Sequence, residues 1–123
     1  MMSPNDVRAA ELLSQRGREL LAGGRPVEAA KAFRAAIASN EQYFDAHHGL
    51  VQALRDAGRL EQSIGAALAL TALNPYDPVA FTALSISLQR AGHKMEAEAA
   101  SARARILQWS LELHTIPCQA WVN

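Results

Sequence analysis

Apolar and small residues recur along this chain on two scales. Within a stretch they return every three or four positions, the step that keeps side chains on one face of a helix. Between stretches the pattern itself repeats. Leu20, Leu54 and Leu88 are spaced 34 residues apart, as are Ala29, Ser63 and Ala97, and Ala36, Leu70 and Ala104. Gly24, Gly58 and Gly92 keep the same interval, each lying between one helix-like stretch and the next. Glycine reaches the left-handed conformation that helix C-termini favour, so each of the three is expected to end a helix. The spacing predicts three helical hairpins.

Local signals place six helices. Ser3-Pro4-Asn5-Asp6 reads as a start, with Ser3 as cap, Pro4 at the first helical position and Asp6 where a capping-box acid belongs, so the first helix is expected from about Pro4 to Ala22. The second is expected from Pro26 to Ser39, the third from Tyr43 to Ala57 and the fourth from Leu60 to Leu73. Asn74-Pro75-Tyr76-Asp77-Pro78 is the strongest boundary, because Asn-Pro closes one helix and Asp77-Pro78 caps and opens another. The fifth helix should end at Ala91, and the sixth should run from Lys94 to about Leu113 before Pro117 stops it.

The sixth helix carries two apolar stripes. Ala97, Ala100, Ala104, Leu107 and Leu111 form one, expected to pack on helix five. Met95, Ala99, Ala102, Ile106, Trp109 and Leu113 form the other, which in a longer array is expected to meet the next repeat. Here its cover is expected from residues 114–123, with Trp121 as the anchor, or from a second chain, which would make α-helix six the interface of a homo-oligomer.

With the glycines, the leucine column and the small residues at Ala29, Ser63 and Ala97 in place, the chain resembles the tetratricopeptide repeat family, and small three-repeat proteins of bacterial type within it. The resemblance implies an all-α fold, a right-handed superhelical solenoid of three helix-turn-helix repeats over residues 1–113, at about 10–43, 44–77 and 78–111, with a tail at 114–123. It departs from the family pattern at Arg16, where a leucine is usual, at Val51, where a small residue is usual, and at Ala67 and Ser101, where Phe33 has the expected aromatic.

The resemblance also assigns the first helix of each pair to a concave groove. Its implied partner-binding residues are Ser14, Arg18, Leu21, His48, Gln52, Arg55, Thr82, Ile86, Gln89 and Arg90, with Glu11, Asp45, Val79, Ala22 and Asp56 in the same columns. Arginine forks suit carboxylates and carbonyls, and Gln52, Gln89, His48 and Thr82 can hydrogen-bond an extended chain. Leu21, Val79 and Ile86 offer apolar anchors. Some family members clamp a C-terminal carboxylate with lysines and asparagines. The matching positions here are Ser14, Arg18, Gly49, Val79 and Ala83, of which Arg18 alone is cationic, so that specialised role is not expected.

Composition narrows the classes. The chain is 50% hydrophobic and 20% charged, as in ordinary globular proteins, and its acidic and basic residues balance. No net field draws it to nucleic acid or to anionic lipid, no run approaches a membrane span, and the polar start lacks a secretory pattern, so a cytoplasmic protein without membrane insertion is expected. Cys118 is the single cysteine and has no base partner in view; no phosphate loop follows a strand. An enzyme is not expected, nor a cofactor. His47 and His48 point in different directions, and Pro117 separates His114 from Cys118, so no metal site is expected; His47 should be a packed, hydrogen-bonded histidine. The function implied is an adaptor or scaffold that binds a peptide segment or partner domain. The alternatives are a dedicated chaperone for an aggregation-prone substrate, for example in secretion, or a self-assembling unit.

Overall fold

The computed structural model describes residues 6–115, which form six helices: α1 (Val7–Ala22), α2 (Pro26–Ser39), α3 (Phe44–Asp56), α4 (Leu60–Leu73), α5 (Pro78–Arg90) and α6 (Lys94–Thr115). There is no β-strand among the described residues. Each helix packs antiparallel on the next, giving three stacked hairpins.

The three hairpin turns are copies of one device. Gly24, Gly58 and Gly92 have φ of 75°, 78° and 89°, the region closed to most other residues. That conformation turns the next N–H back onto the helix: Arg25, Arg59 and His93 donate to the carbonyls of Leu20, Leu54 and Leu88, each at 2.9 Å. The turn glycines and the leucine column are therefore two ends of one hydrogen bond.

The repeat boundaries differ more. Asp77 caps α5, its Oδ1 accepting from the Val79 N–H at 2.9 Å, and Pro78 occupies the first turn. At the earlier boundary Asn40 Oδ1 accepts from the Gln42 N–H at 3.0 Å, which replaces the missing proline. The start of α1 departs from expectation. Asp6 is extended rather than helical, its Oδ1 accepts from Ala9 N–H at 3.0 Å, and its own N–H donates to the Ser39 carbonyl at 3.0 Å. Asp6 is thus the cap itself, and the helix begins at Val7; Ser3 and Pro4 lie outside the described residues.

Packing between hairpins turns on ring size. Phe33 is fully buried, wedged between Gly17 of α1 and Gly49 of α3. A Cβ at Gly17 would lie 2.7 Å from the ring, and one at Gly49 closer still. In the next repeat the same three columns hold Val51, Ala67 and Ala83, all within one buried cluster. Bulk has moved from the second helix to the first, which is why Val51 is accommodated. The second junction adds a polar tie: Ser63 donates to the Val51 carbonyl at 3.0 Å and lies 2.8 Å from Ser87 Oγ, all fully buried.

The array curves. The backbone of α1 approaches that of α3 and the backbone of α3 that of α5, whereas α2, α4 and α6 reach one another through side chains alone. The first helices of the hairpins are therefore crowded on the inner side and the second helices splayed on the outer.

The outward stripe of α6 is not on the face that stacks hairpins. Ala30, Phe33 and Ile37 in α2 meet the following hairpin, and the 34-residue register places Glu98, Ser101 and Arg105 there in α6. Met95, Ala99 and Ile106 instead match Val27, Lys31 and Ala38, which face solvent. The stacking face of α6 is polar.

Replacing Gly49 with Ala should cost about 1–3 kcal/mol through overpacking against Phe33. In a Phe33→Ala background, already weakened by about 3–5 kcal/mol, the same change should cost far less. Urea denaturation of the four chains measures the coupling; additive costs would show that ring and glycine do not share the space.

Candidate functional site

The inner surface is built from α1, α3 and α5, and burial along it follows from stacking order. Each inner helix is shielded by the next, and α5 has none after it. In the column Ser14, His48, Thr82 the side chains go from fully buried through half-buried to exposed. Leu21 and Arg55 are half-buried while Gln89 is exposed; Arg18, Gln52, Ile86 and Arg90 are exposed throughout. Nine of the ten expected residues thus reach the surface. Ser14 does not: its short side chain has no accessible area, and its Oγ has no hydrogen-bond partner among the described residues. Gly49 and Ala83, two clamp-equivalent positions, are likewise in the interior.

Arg55 is the centre of this surface. Its Nε and Nη1 are sealed from solvent and have no hydrogen-bond partner among the described residues. Burial, then the neighbouring Arg90 charge, pushes the guanidinium below its ordinary value, with Asp56 acting against both. Arg90 itself lies 3.9 Å from Asp56 across the α3–α5 seam. A charge that is partly desolvated and has a like charge beside it is stabilised by any acceptor brought to it. The arrangement can hold a carboxylate or a row of backbone carbonyls.

Smaller features shape the rest. Thr82 donates its hydroxyl proton to the Pro78 carbonyl at 2.9 Å, so towards a ligand it is an acceptor only. His48 stacks on Phe44 with ring centroids 6.3 Å apart and planes 17° from parallel, which fixes its orientation on α3. His47 faces the other way and contacts the Glu41 carbonyl at 2.8 Å through Nε2, half-buried and hydrogen-bonded as expected. Val79 and Ile86, on the same helix as Arg90, leave 47% and 38% of their surface in solvent.

Tyr43 was missed by reasoning from repeat columns, because it precedes α3. Burial raises its phenol pKa, with Asp45 and Glu11 adding to the rise and Arg18 opposing it. Those groups place the phenol at the α1–α3 end of the groove. An aromatic just before a first helix, followed two residues on by a groove-column acid, was the available signal.

No group of metal-binding side chains occurs among the described residues, and no helix there is long and apolar enough to cross a membrane. Trp121 and the His114–Cys118 pair lie outside the residues whose side chains are described. Ile106 and Trp109 of the outward α6 stripe are 53% and 62% exposed, and Leu113 is half-buried.

The turn device, the small-residue columns and the stacked hairpins define a helical repeat protein. A family model for the tetratricopeptide repeat matches residues 20–86, and the chain belongs to that family. Solved structures agree in fold. A MamA structure superposes with a TM-score of 0.79 at 20% identity, over 91% of this chain and 61% of that one. The second tetratricopeptide domain of Spaghetti (RPAP3), bound to the HSP90 peptide SRMEEVD, gives 0.76 at 16% identity, over 83% and 94%. The Yersinia enterocolitica type III secretion translocator chaperone SycD gives 0.76 at 19% identity, over 80% and 73%. No curated protein sequence matches.

The raised Tyr43 pKa means the folded chain favours the neutral phenol, so its contribution to stability is lost as pH climbs past the ordinary tyrosine range. Spectrophotometric titration should show a phenol ionising above the ordinary tyrosine range, and Tyr43→Phe should remove that step. Loss of no such step in the variant would place Tyr43 in open solvent.

Proposed function

We propose that this protein is an interaction module that holds a peptide segment of acidic or mixed character in its inner groove, with Arg55 as the central anchor. The observation that carries the reading is a half-buried guanidinium beside a second arginine at the centre of the inner surface. Arg18 lies towards one end of the groove, Arg90 is beside the centre, and Gln52 and Gln89 can read a ligand backbone. Leu21, Val79 and Ile86 take apolar side chains, His48 and Thr82 accept or share hydrogen bonds, and Ser14 is left out because it is buried. The helices that carry these groups are fixed by packing before the ligand arrives, so little ordering cost attends binding. The general class, a module that binds protein or peptide, is that of the family.

A second reading, a dedicated chaperone for an aggregation-prone substrate, is favoured by exposed Val79 and Ile86 and by the fold shared with a secretion chaperone. The arginines weigh against it, since shielding an apolar substrate gives them nothing to bind. A chaperone would co-purify in a tight complex with one partner that is insoluble alone.

Affinity capture from the native cell, comparing wild type with an Arg18, Arg55, Arg90 triple alanine chain, identifies the partner. Arg55→Glu should then weaken its binding by about 1–3 kcal/mol, roughly 5- to 150-fold, without altering helicity. Unchanged affinity in calorimetry with a native fold would move the partner to another surface.

A further inference from the structure

Of the three outer helices, α6 alone turns a continuous apolar stripe to solvent. In the columns that hold Met95, Ala99, Ala102 and Ile106, α2 has Val27, Lys31, Arg34 and Ala38, and α4 has Glu61, Gly65, Leu68 and Ala72. α2 and α4 end after 14 residues, whereas α6 runs for 22 and adds exposed Trp109 to the stripe. Met95 at its start is 85% exposed. The clefts between outer helices differ in the same sense. Arg34 of α2 reaches across the first to Gln62 of α4, with Nη2 to Oε1 at 3.4 Å. The second, between α4 and α6, is an apolar groove of about 520 Å³ lined by Leu68, Phe81 and Ala99, with Glu96 and Arg103 on its α6 side.

Charge beside the stripe is arranged in two rows. Glu96 and Arg103 flank it on the side of that groove, Glu98 and Arg105 on the side of the stacking face, and all four are exposed. Contacts within the chain hold the arginines on their flanks: Arg103 covers the Phe81 ring, 5.9 Å from its centre, and Arg105 donates to Ser101. Each row runs from acid to base. The segment therefore reads the same backwards with its charges inverted. About the midpoint between Ala100 and Ser101, Met95 mirrors Ile106, Glu96 mirrors Arg105, Glu98 mirrors Arg103 and Ala99 mirrors Ala102. A helix with that symmetry is complementary to a copy of itself running the other way.

We infer that a second copy of this chain docks here, α6 against α6, antiparallel about a two-fold axis through that midpoint. Met95 then lies opposite Ile106 of the second copy, and Ala99 opposite Ala102. Alanines at the centre let the helix axes approach to about 8 Å, the close end of the packing range. A two-fold axis keeps each flank on its own side, so Glu96 meets Arg103 of the second copy and Glu98 meets its Arg105. At about 1.5 Å of rise per residue, each pair is offset by about 3 Å along the axis, which side chains of this length span. The four ion pairs formed lie at the rim, in reach of water, so they select the partner and its direction more than they add strength. A parallel pair would set glutamate beside glutamate and arginine beside arginine. Affinity comes from the apolar stripe, which Trp109 extends beyond Ile106. One helix on one helix buries less than the roughly 800 Å² per partner of a standard interface, so the dimer exchanges with monomer. The inner surface, carried by α1, α3 and α5, takes no part and is independent of it.

Light scattering of the full chain should show the mean mass climbing from one chain towards two with concentration. Glu96→Arg with Glu98→Arg leaves the stripe flanked by arginine alone, and Arg103→Glu with Arg105→Glu leaves it flanked by glutamate alone. Each variant should lose the dimer with helicity unchanged, and an equimolar mixture of the two should associate again. Direction is read by oxidative cross-linking in a Cys118→Ser background. Met95→Cys and Ile106→Cys chains should couple when mixed, and neither should couple with itself. A wild-type chain that stays monomeric to millimolar concentration would overturn the proposal. So would a dimer indifferent to charge reversal, a mixture that fails to associate, absence of the mixed cross-link, or either cysteine variant cross-linking to itself.

Discussion

The depth of one phenyl ring sets how closely the first two hairpins approach. Phe33 lies between two backbones, and both approach it through glycine because no Cβ fits on either side. This couples three helices through a single side chain, so α1, α2 and α3 cannot shift separately without opening a void or forcing a clash. The consequence reaches the groove. Arg18 and His48 sit one position from Gly17 and Gly49, and their separation across the inner surface is fixed by the ring beneath them. Specificity in a preformed groove begins with such spacings, ahead of any contact to a ligand.

The second junction reaches the same fold by another distribution of volume, with Val51 and Ala83 supplying what Ala67 lacks. A buried hydrogen-bonded pair, Ser63 and Ser87, lies beside it, in columns that hold alanine at Ala29 and Ala53. Apolar filling tolerates many arrangements, whereas a buried hydroxyl pair is satisfied in one register only. The first junction is thus specified by shape and the second partly by hydrogen bonding. This is how repeats of one architecture diverge while their turns, all closed by the same glycine-to-leucine hydrogen bond, remain alike.

Most of the fold was legible because it is written in local signals repeated three times. Positive-φ glycines and the leucines that receive the following N–H bond appear in the sequence as fixed intervals, and helix ends at Pro26, Ser39, Leu60, Leu73 and Pro78 fall where caps and prolines put them. What failed concerned neighbours in space. Asp6 fits both a capping-box acid in the first turn and a cap, and only its bond to the Ala9 N–H decides between them. Ser14 belongs to a groove column by spacing, yet its burial depends on α3, which spacing within α1 does not report. The same holds for Arg55: its place in a column was readable, but the sealing of two of its nitrogens arises from packing.

The outward stripe of α6 shows why apolar periodicity is an incomplete guide at the end of an array. Two stripes are visible, and their spacing suggests helix five under one and a cover from residues 114–123 or a second chain over the other. The register assigns the stacking face instead to Glu98, Ser101 and Arg105, with Arg105 donating to Ser101 Oγ at 3.1 Å. A hairpin stacked on that face would have to strip water from Glu98 and Arg105. Exposed Ile106 and Leu68 therefore do not record a lost repeat. They belong to the outer surface, where the first cleft is crossed by a polar pair and the second is left apolar. That asymmetry between two clefts of identical backbone plan is carried by side chains alone, on a surface apart from the stacking that builds the solenoid.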